Sequence, residues 1–283
     1  MYTLANNDLT VEILDPVGNV DQLGSRYCTG GYIYQIKDNM LGNLLTGPKY
    51  PNPDVDVFDG QGAPEVFVTA PNSENSKTGD DVLVIGVGLV TRTSPIDPFH
   101  ARNNPLVRKF CEWEVTQLPG KISMVTTQSI ENIRIKLTRT ILLHNRRLTS
   151  ATMLQNNSNK TIPLNWFAHP FFPVPADNKL HLFRNTVEIP DNSGYYIDNK
   201  GIIARKSNYD WEKGLYQLIS LKNKALFAVK QFHPLLGKLQ ISVDFIPDAL
   251  ALWGNEKTCS FEPFITKQIA PNQTFSWNIT YSF

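Results

Sequence analysis

The stretch Ile133-Arg134-Ile135-Lys136-Leu137-Thr138-Arg139-Thr140-Ile141 alternates apolar residues with basic residues or Thr. Side chains of period two point to opposite faces of a strand, so this pattern predicts a strand with one face buried and one wet. The alternation stops at His144-Asn145-Arg146-Arg147 and restarts at Leu148-Thr149-Ser150-Ala151-Thr152-Met153-Leu154. Upstream, Cys111-Glu112-Trp113-Glu114-Val115-Thr116 and Lys121-Ile122-Ser123-Met124-Val125-Thr126 flank Pro119-Gly120, a turn signal. Further out, Leu9–Leu14 and Tyr32–Lys37 alternate, and Val82–Val90 reads as one buried strand. β-Branched and aromatic residues fill the runs, while Pro, Asn, Asp and Gly fill the gaps. The strongest helical signal is a short turn near 207–212, and the 19 prolines argue against long helices. No composition shift divides the chain and no repeat is visible. Residues 1–283 therefore read as one large all-β domain, an antiparallel sandwich or barrel.

Charge and composition exclude several classes. With 27 Lys+Arg against 26 Asp+Glu the net charge is +1, which gives no electrostatic reason to bind nucleic acid. No apolar run approaches the roughly 20 residues that cross a bilayer. The opening residues, Met1 to Asp8, have neither a basic nor an apolar segment of a secretory signal, and the expected compartment is the cytoplasm. Cys28, Cys111 and Cys259 are odd in number and far apart, so neither a disulfide framework nor a zinc knuckle is expected. The five histidines show no HxH or HExxH spacing, so no catalytic metal and no cofactor are expected. Gly86-Val87-Gly88 lacks a third glycine and a following helix, which excludes a dinucleotide loop. Arg134, Lys136 and Arg139, with Arg146 and Arg147, form a basic segment better read as a solvated strand face than as an anion site.

Two local contexts bear on chemistry. In Pro163-Leu164-Asn165-Trp166-Phe167-Ala168-His169-Pro170-Phe171-Phe172-Pro173 the histidine has an apolar frame, which strips its hydration and lowers its pKa. The alternative is a core histidine bonded to a carbonyl. In Cys259-Ser260-Phe261-Glu262-Pro263-Phe264 a carboxylate lies between aromatics on a strand, which is costly unless it is paired or used. Period two puts Glu262 on one face with Ser260 and Phe264, opposite Phe261 and Pro263. The alternative is an outward glutamate on a wet face.

Taken in order, these segments resemble the galactose mutarotase-like (aldose 1-epimerase) superfamily. The resemblance rests on the early Gly30-Gly31-Tyr32-Ile33, the long hairpin over 121–154, and the strand 162–172 with its histidine before an aromatic pair. It also rests on the ending, from Trp253-Gly254-Asn255 through Phe261-Glu262-Pro263-Phe264 to Ile269-Ala270-Pro271-Asn272 and Tyr281-Ser282-Phe283. Asn272 stands where the family has a turn glycine.

The resemblance implies a large antiparallel β-sandwich with a sugar pocket on one sheet. It implies interconversion of the α and β anomers of a hexose or hexose phosphate, with Glu262 as base and His169 as acid. A carbohydrate-binding protein of the same fold without turnover is the alternative. The family's second histidine and its sugar-binding arginine correspond by region to His100 and Arg102, without the family's local glycine motif; an ordinary loop is the alternative for both. The sugar-binding aspartate corresponds to Asp244 or Asp248. Trp166 and Trp253 are candidates to stack on a sugar face, or core aromatics. The implied partner is a small-molecule sugar, and the two catalytic groups are expected to stand a sugar ring apart.

Overall fold

A computed structural model describes residues 1–55, 58–68, 70–223 and 225–283. Two large antiparallel sheets pack face to face. The ten-stranded sheet runs Tyr195–Ile197, Ile203–Arg205, Lys179–Phe183, Ala228–His233, Gly237–Val243, Thr274–Ser282, Arg147–Asn156, Ile133–His144, Lys121–Ile130 and Glu114–Leu118. The path of the seven-stranded sheet is Val187–Glu188, Leu215–Leu221, Ala249–Gly254, Thr258–Ile269, Ile162–Ala168 and Glu65–Phe67, with Phe172–Pro173 also paired to Thr258–Ile269. A four-stranded sheet (Tyr2–Ala5, Leu9–Ile13, Ile33–Asp38, Gly42–Asn43) and a three-stranded sheet (Asp81–Val84, Gly88–Thr91, Val107–Phe110) complete the fold. Among the described residues, helix is confined to short 3-10 turns at Val20–Gln22, Ala101–Asn103 and Trp211–Lys213. Among the described residues, no helix is long and apolar enough to cross a membrane. The all-β antiparallel sandwich expected from the alternation is the observed architecture.

The deciding stretch forms the centre of the larger sheet. Ile133–His144 pairs with Lys121–Ile130 on one side and Arg147–Asn156 on the other, and the second hairpin closes at the pair His144↔Arg147. Asn145 takes a left-handed φ of 50° there, a conformation that Asn tolerates better than most residues. The Pro119-Gly120 turn joins Leu118 to Lys121 as expected, with Gly120 at φ 68°. Asn272 also has φ 62°, so it serves where a turn glycine would.

The core fills the space between the two large sheets. Trp166 from the seven-stranded sheet meets Trp277 from the ten-stranded sheet edge-on, 5.3 Å between centroids. A charged cluster crosses the same interior. Arg139 donates to both oxygens of Glu65 at 2.5 and 2.6 Å. Trp166 Nε1 donates to the same carboxylate at 3.0 Å, and Ser150 at 2.7 Å, while Thr152 accepts from Arg139. A buried pair of this kind is tolerable only when its remaining polar atoms are bonded.

Three local expectations need correction. Arg139 does not lie on the wet face: it shares the odd-numbered parity of Ile133, Ile135, Leu137 and Ile141 and is buried with them. Val82–Val90 is not one strand but a hairpin, because Gly86 (φ 74°) and Gly88 (φ 137°) reverse the chain; a Cβ on Gly88 would come within 2.1 Å of the Lys109 carbonyl. The strand expected from Cys111 begins at Glu114 instead. Before it, Trp113 packs on Gly30 and donates Nε1–H to Thr29 Oγ1 at 2.9 Å.

Candidate functional site

The candidate site lies on the face of the seven-stranded sheet that points away from the sandwich core. Phe261 faces inward, against Phe172 and Phe227. Alternation then turns Glu262 outward with Ser260 and Phe264, as the sequence predicts. Trp253 pairs across the strands with Ser260, and Tyr216 pairs with Trp253, so all three share this face. His169 follows the strand Ile162–Ala168 directly, and its backbone N–H is bonded to the Pro64 carbonyl at 2.9 Å. A second apolar cluster, including Tyr27, Tyr32, Val66, Phe167 and Phe171, covers this face.

His169 and Glu262 are in direct contact. His169 Nε2 lies 3.2 Å from Glu262 Oε1, and their side chains are 2% and 3% exposed. The expected separation by a sugar ring is therefore not the arrangement found. The other imidazole nitrogen, Nδ1, lies 3.0 Å from Ser260 Oγ. The ring is held by aromatics: stacked on Phe171 at 4.3 Å and edge-on to Trp253 at 5.6 Å.

Burial sets the charges of this pair. Desolvation raises the Glu262 carboxyl to about 8, against a smaller lowering by Arg26. Desolvation also pushes His169 well below its ordinary value, and Arg26 pushes it the same way. Both shifts favour the uncharged form, so at neutral pH the pair holds one proton between the carboxyl and the imidazole. Ser260 suits either placement. It accepts from Nδ1–H in both, because transfer of the proton from Glu262 to Nε2 gives an imidazolium that keeps its Nδ1–H.

The remaining sequence candidates divide into two groups. His100 and Arg102 come to the rim of this face. Ala101 between them donates its N–H to the Val68 carbonyl and accepts from Ser25 Oγ, which ties their loop to Arg26. His100 Nδ1 caps the short turn by accepting the Arg102 N–H at 3.2 Å, and burial together with Arg102 and Arg26 lowers it to about 4. Trp253 also belongs to the site. The structure does not bring Trp166, Asp244 or Asp248 to the pair. Trp166 is fully buried in the sandwich on Glu65, because it shares the parity of Leu164 and Ile162. Asp244 accepts from Asn278 N at 2.7 Å, and Asp248 accepts from Thr266 N at 2.7 Å, so both carboxylates brace turns.

Sequence reasoning missed Arg26, Tyr27 and Tyr216. Arg26 is the charge felt by both members of the pair, and its guanidinium lies 5.1 Å from the Tyr27 ring centroid. Tyr216 is raised to about 12 by burial and by Glu262, with Arg102 opposing. The alternation of Leu215–Leu221 could have flagged Tyr216; Arg26 and Tyr27 sit in a loop with no periodic signal. Among the described residues, no group of three or more His, Cys, Asp or Glu side chains could hold a metal ion.

No family model matches this chain. No curated protein matches it either. Solved structures do. A galactose mutarotase related enzyme from Lactobacillus acidophilus superposes with a TM-score of 0.64 at 14% identity, covering 99% of this chain and 96% of that one. A putative aldose 1-epimerase from Escherichia coli K12 gives 0.59 at 13% identity, covering 99% and 97%. A galactose mutarotase-like protein from Lactobacillus casei gives 0.56 at 14% identity, covering 100% and 99%. At such identities the shared property is the fold. Near-complete mutual coverage, together with the antiparallel sheets above, identifies the fold of this chain as that of the galactose mutarotase-like proteins.

Proposed function

We propose that this protein is an aldose 1-epimerase-like isomerase that opens and recloses the hemiacetal of a hexose or hexose phosphate. The observation that carries the reading is the buried contact between His169 Nε2 and Glu262 Oε1 on the outer face of the seven-stranded sheet. Anomer exchange needs one group to take the proton of the C1 hydroxyl and another to protonate the ring oxygen. O1 and O5 are bonded to the same carbon, so two groups that touch each other can reach both. Ring-width separation is not required.

In the working state Glu262 is the carboxylate and Nε2 of His169 carries the proton. This state has the same proton count as the uncharged pair, so it is reached by transfer within the pair. Glu262 takes the O1 proton as His169 gives its own to O5, and the C1–O5 bond breaks. Rotation about C1–C2 presents the other carbonyl face. O5 re-adds while the protons return, so nothing is consumed. A base with a value near 8 is strong enough to take the proton yet still partly ionised at neutral pH. Arg26 favours the carboxylate form.

Anomer exchange measured by polarimetry or NMR over a panel of aldoses tests the reading. Glu262→Gln keeps shape and removes basicity, and exchange is expected to fall about 10²-fold or more. His169→Asn is expected to cost a similar factor, without additivity, because both groups serve one ring opening. Saturable sugar binding with exchange no faster than in buffer would replace this reading with a carbohydrate-binding protein of the same fold.

A further inference from the structure

Three tight turns at one end of the sandwich carry apolar residues at their tips, where turns ordinarily hold polar ones. Met40 and Leu41 lie between the strands Ile33–Asp38 and Gly42–Asn43, Leu118 precedes the Pro119-Gly120 turn, and Leu235 lies between Ala228–His233 and Gly237–Val243. Met40 is 94% exposed, Leu118 55%, and Leu41 and Leu235 47% each. Strand pairing gathers these turns. Lys121 pairs with Leu142 beside the His144↔Arg147 closure, Arg147 with Ser282, Ser282 with Gln240, and Gly237 with His233. Side chains then fix them. Asp38 accepts from the Met40 and Leu41 N–H groups at 2.9 Å each and from Arg146 at 2.6 Å. His233 Nδ1 accepts from the Leu235 N–H at 3.1 Å, and its Nε2 lies 2.9 Å from the Leu44 carbonyl. A cation stands beside each turn. Lys37, Lys121, Arg147 and Lys238 are exposed and have no ion-pair partner among the described residues. Of the nearby carboxylates, Asp38 is matched by Arg146, and Asp8 is exposed, its carbonyl bonded to the Asn39 N–H.

We propose that this end of the sandwich docks on the surface of an anionic lipid bilayer, with Met40, Leu41, Leu118 and Leu235 in the headgroup layer and Lys37, Lys121, Arg147 and Lys238 facing the lipid anions. A single exposed apolar side chain needs no explanation, whereas four on neighbouring turns with cations beside them do. The attachment is interfacial and needs no spanning segment, because apolar tips that enter only the headgroup boundary add to electrostatic attraction. Each Lys or Arg close to an anionic surface adds about fivefold to affinity. The local charge decides this, not the net +1 of the chain. The occupant is a bilayer because the tips are separate points on separate turns, which enter a fluid layer one by one; a stable protein interface needs a continuous packed patch. None of these residues belongs to the site of His169 and Glu262, so docking is independent of anomer exchange.

The test is co-sedimentation of the full chain with vesicles of phosphatidylcholine alone and of phosphatidylcholine with about 30% phosphatidylserine. The wild type is expected to bind the mixed vesicles, to leave the neutral ones in solution, and to weaken as salt rises and the Debye length shrinks. Lys121→Ser, Arg147→Ser and Lys238→Ser combined are expected to lower affinity about 10²-fold, three cations at about fivefold each. Met40→Ser, Leu41→Ser and Leu235→Ser combined are expected to lower it at least tenfold. Ile96→Ser with Leu106→Ser removes two exposed apolar residues beside the three-stranded sheet, which Gln128 joins at the opposite end of Lys121–Ile130, and is expected to leave binding unchanged. All substituted side chains are exposed, so each variant is expected to keep the wild-type Tm. Absence of binding to the mixed vesicles, equal binding to both kinds, indifference to salt, indifference to the Met40, Leu41 and Leu235 changes, or an equal loss on the Ile96 and Leu106 changes overturns the proposal. So does a dimer in sedimentation velocity that the Met40, Leu41 and Leu235 changes dissociate, since a second copy then covers this end.

Discussion

Ser260 Oγ lies 3.0 Å from His169 Nδ1, while Glu262 contacts the other ring nitrogen. The hydroxyl fixes the imidazole plane by accepting from Nδ1–H, which persists as the proton moves between Glu262 and Nε2. Ser260→Ala is expected to lower kcat for anomer exchange about three- to tenfold with little change in KM, since Ser260 touches His169 and not the sugar. An unchanged kcat would show that the aromatic packing alone orients the ring.

The rate should depend on pH as a bell whose two limbs belong to the pair as a whole. The working form carries one proton. Loss of that proton sets the alkaline limb near 8, from the raised Glu262 carboxyl. Gain of a second proton sets the acid limb below the ordinary 6.5 of histidine, because burial lowers His169. A rate that keeps rising well above pH 8, or one that already collapses above pH 6.5 on acidification, would contradict this assignment.

Stability follows from the same two groups. Between pH 6.5 and 8 the unfolded chain holds no proton on either group, whereas the folded pair still holds one on Glu262. Stability therefore falls as pH rises through this window, by up to about 2 kcal/mol at about 1.4 kcal/mol per pH unit. Between 4.5 and 6.5 the unfolded chain holds its one proton on histidine and the two states balance. Urea unfolding across this range should show the alkaline decline in the wild type and its absence in Glu262→Gln. Parallel curves for the two proteins would mean that Glu262 is not raised in the folded state.

The Glu65–Arg139 pair bridges the two sheets inside the core. Arg139→Met should destabilise by about 3–5 kcal/mol, because Glu65 is left as an unpaired buried charge. The double change Glu65→Leu with Arg139→Met should recover a large part of that loss, although Trp166, Ser150 and Thr152 lose their shared acceptor. Chemical denaturation of the three proteins measures the coupling. Equal loss in the single and double variants would remove the unpaired-charge explanation.

Much of this molecule is written locally. Alternation over 133–154 and 121–126 dictates antiparallel strands because consecutive side chains of an extended chain must point to opposite faces. The same rule sent Glu262 outward with Ser260 while Phe261 turned into the core. Applied consistently, it also places Arg139 and Trp166 inside, since each shares the parity of its apolar neighbours. Reading Arg139 by its charge instead of its position concealed this, because a buried guanidinium is tolerable only with a partner, and Glu65 lies 74 positions away. The hairpin at Gly86 and Gly88 was likewise present as two glycines inside an apolar run. Tertiary structure alone decided the rest. Strand pairing across long sequence separations put His169 against Glu262 and carried the loop of Arg26 and Tyr27 over them. It left Asp244 and Asp248 to brace turns elsewhere. A strand's own sequence encodes which way each side chain points. Which strand or loop it meets depends on how separate apolar faces are buried together, and no single segment carries that information.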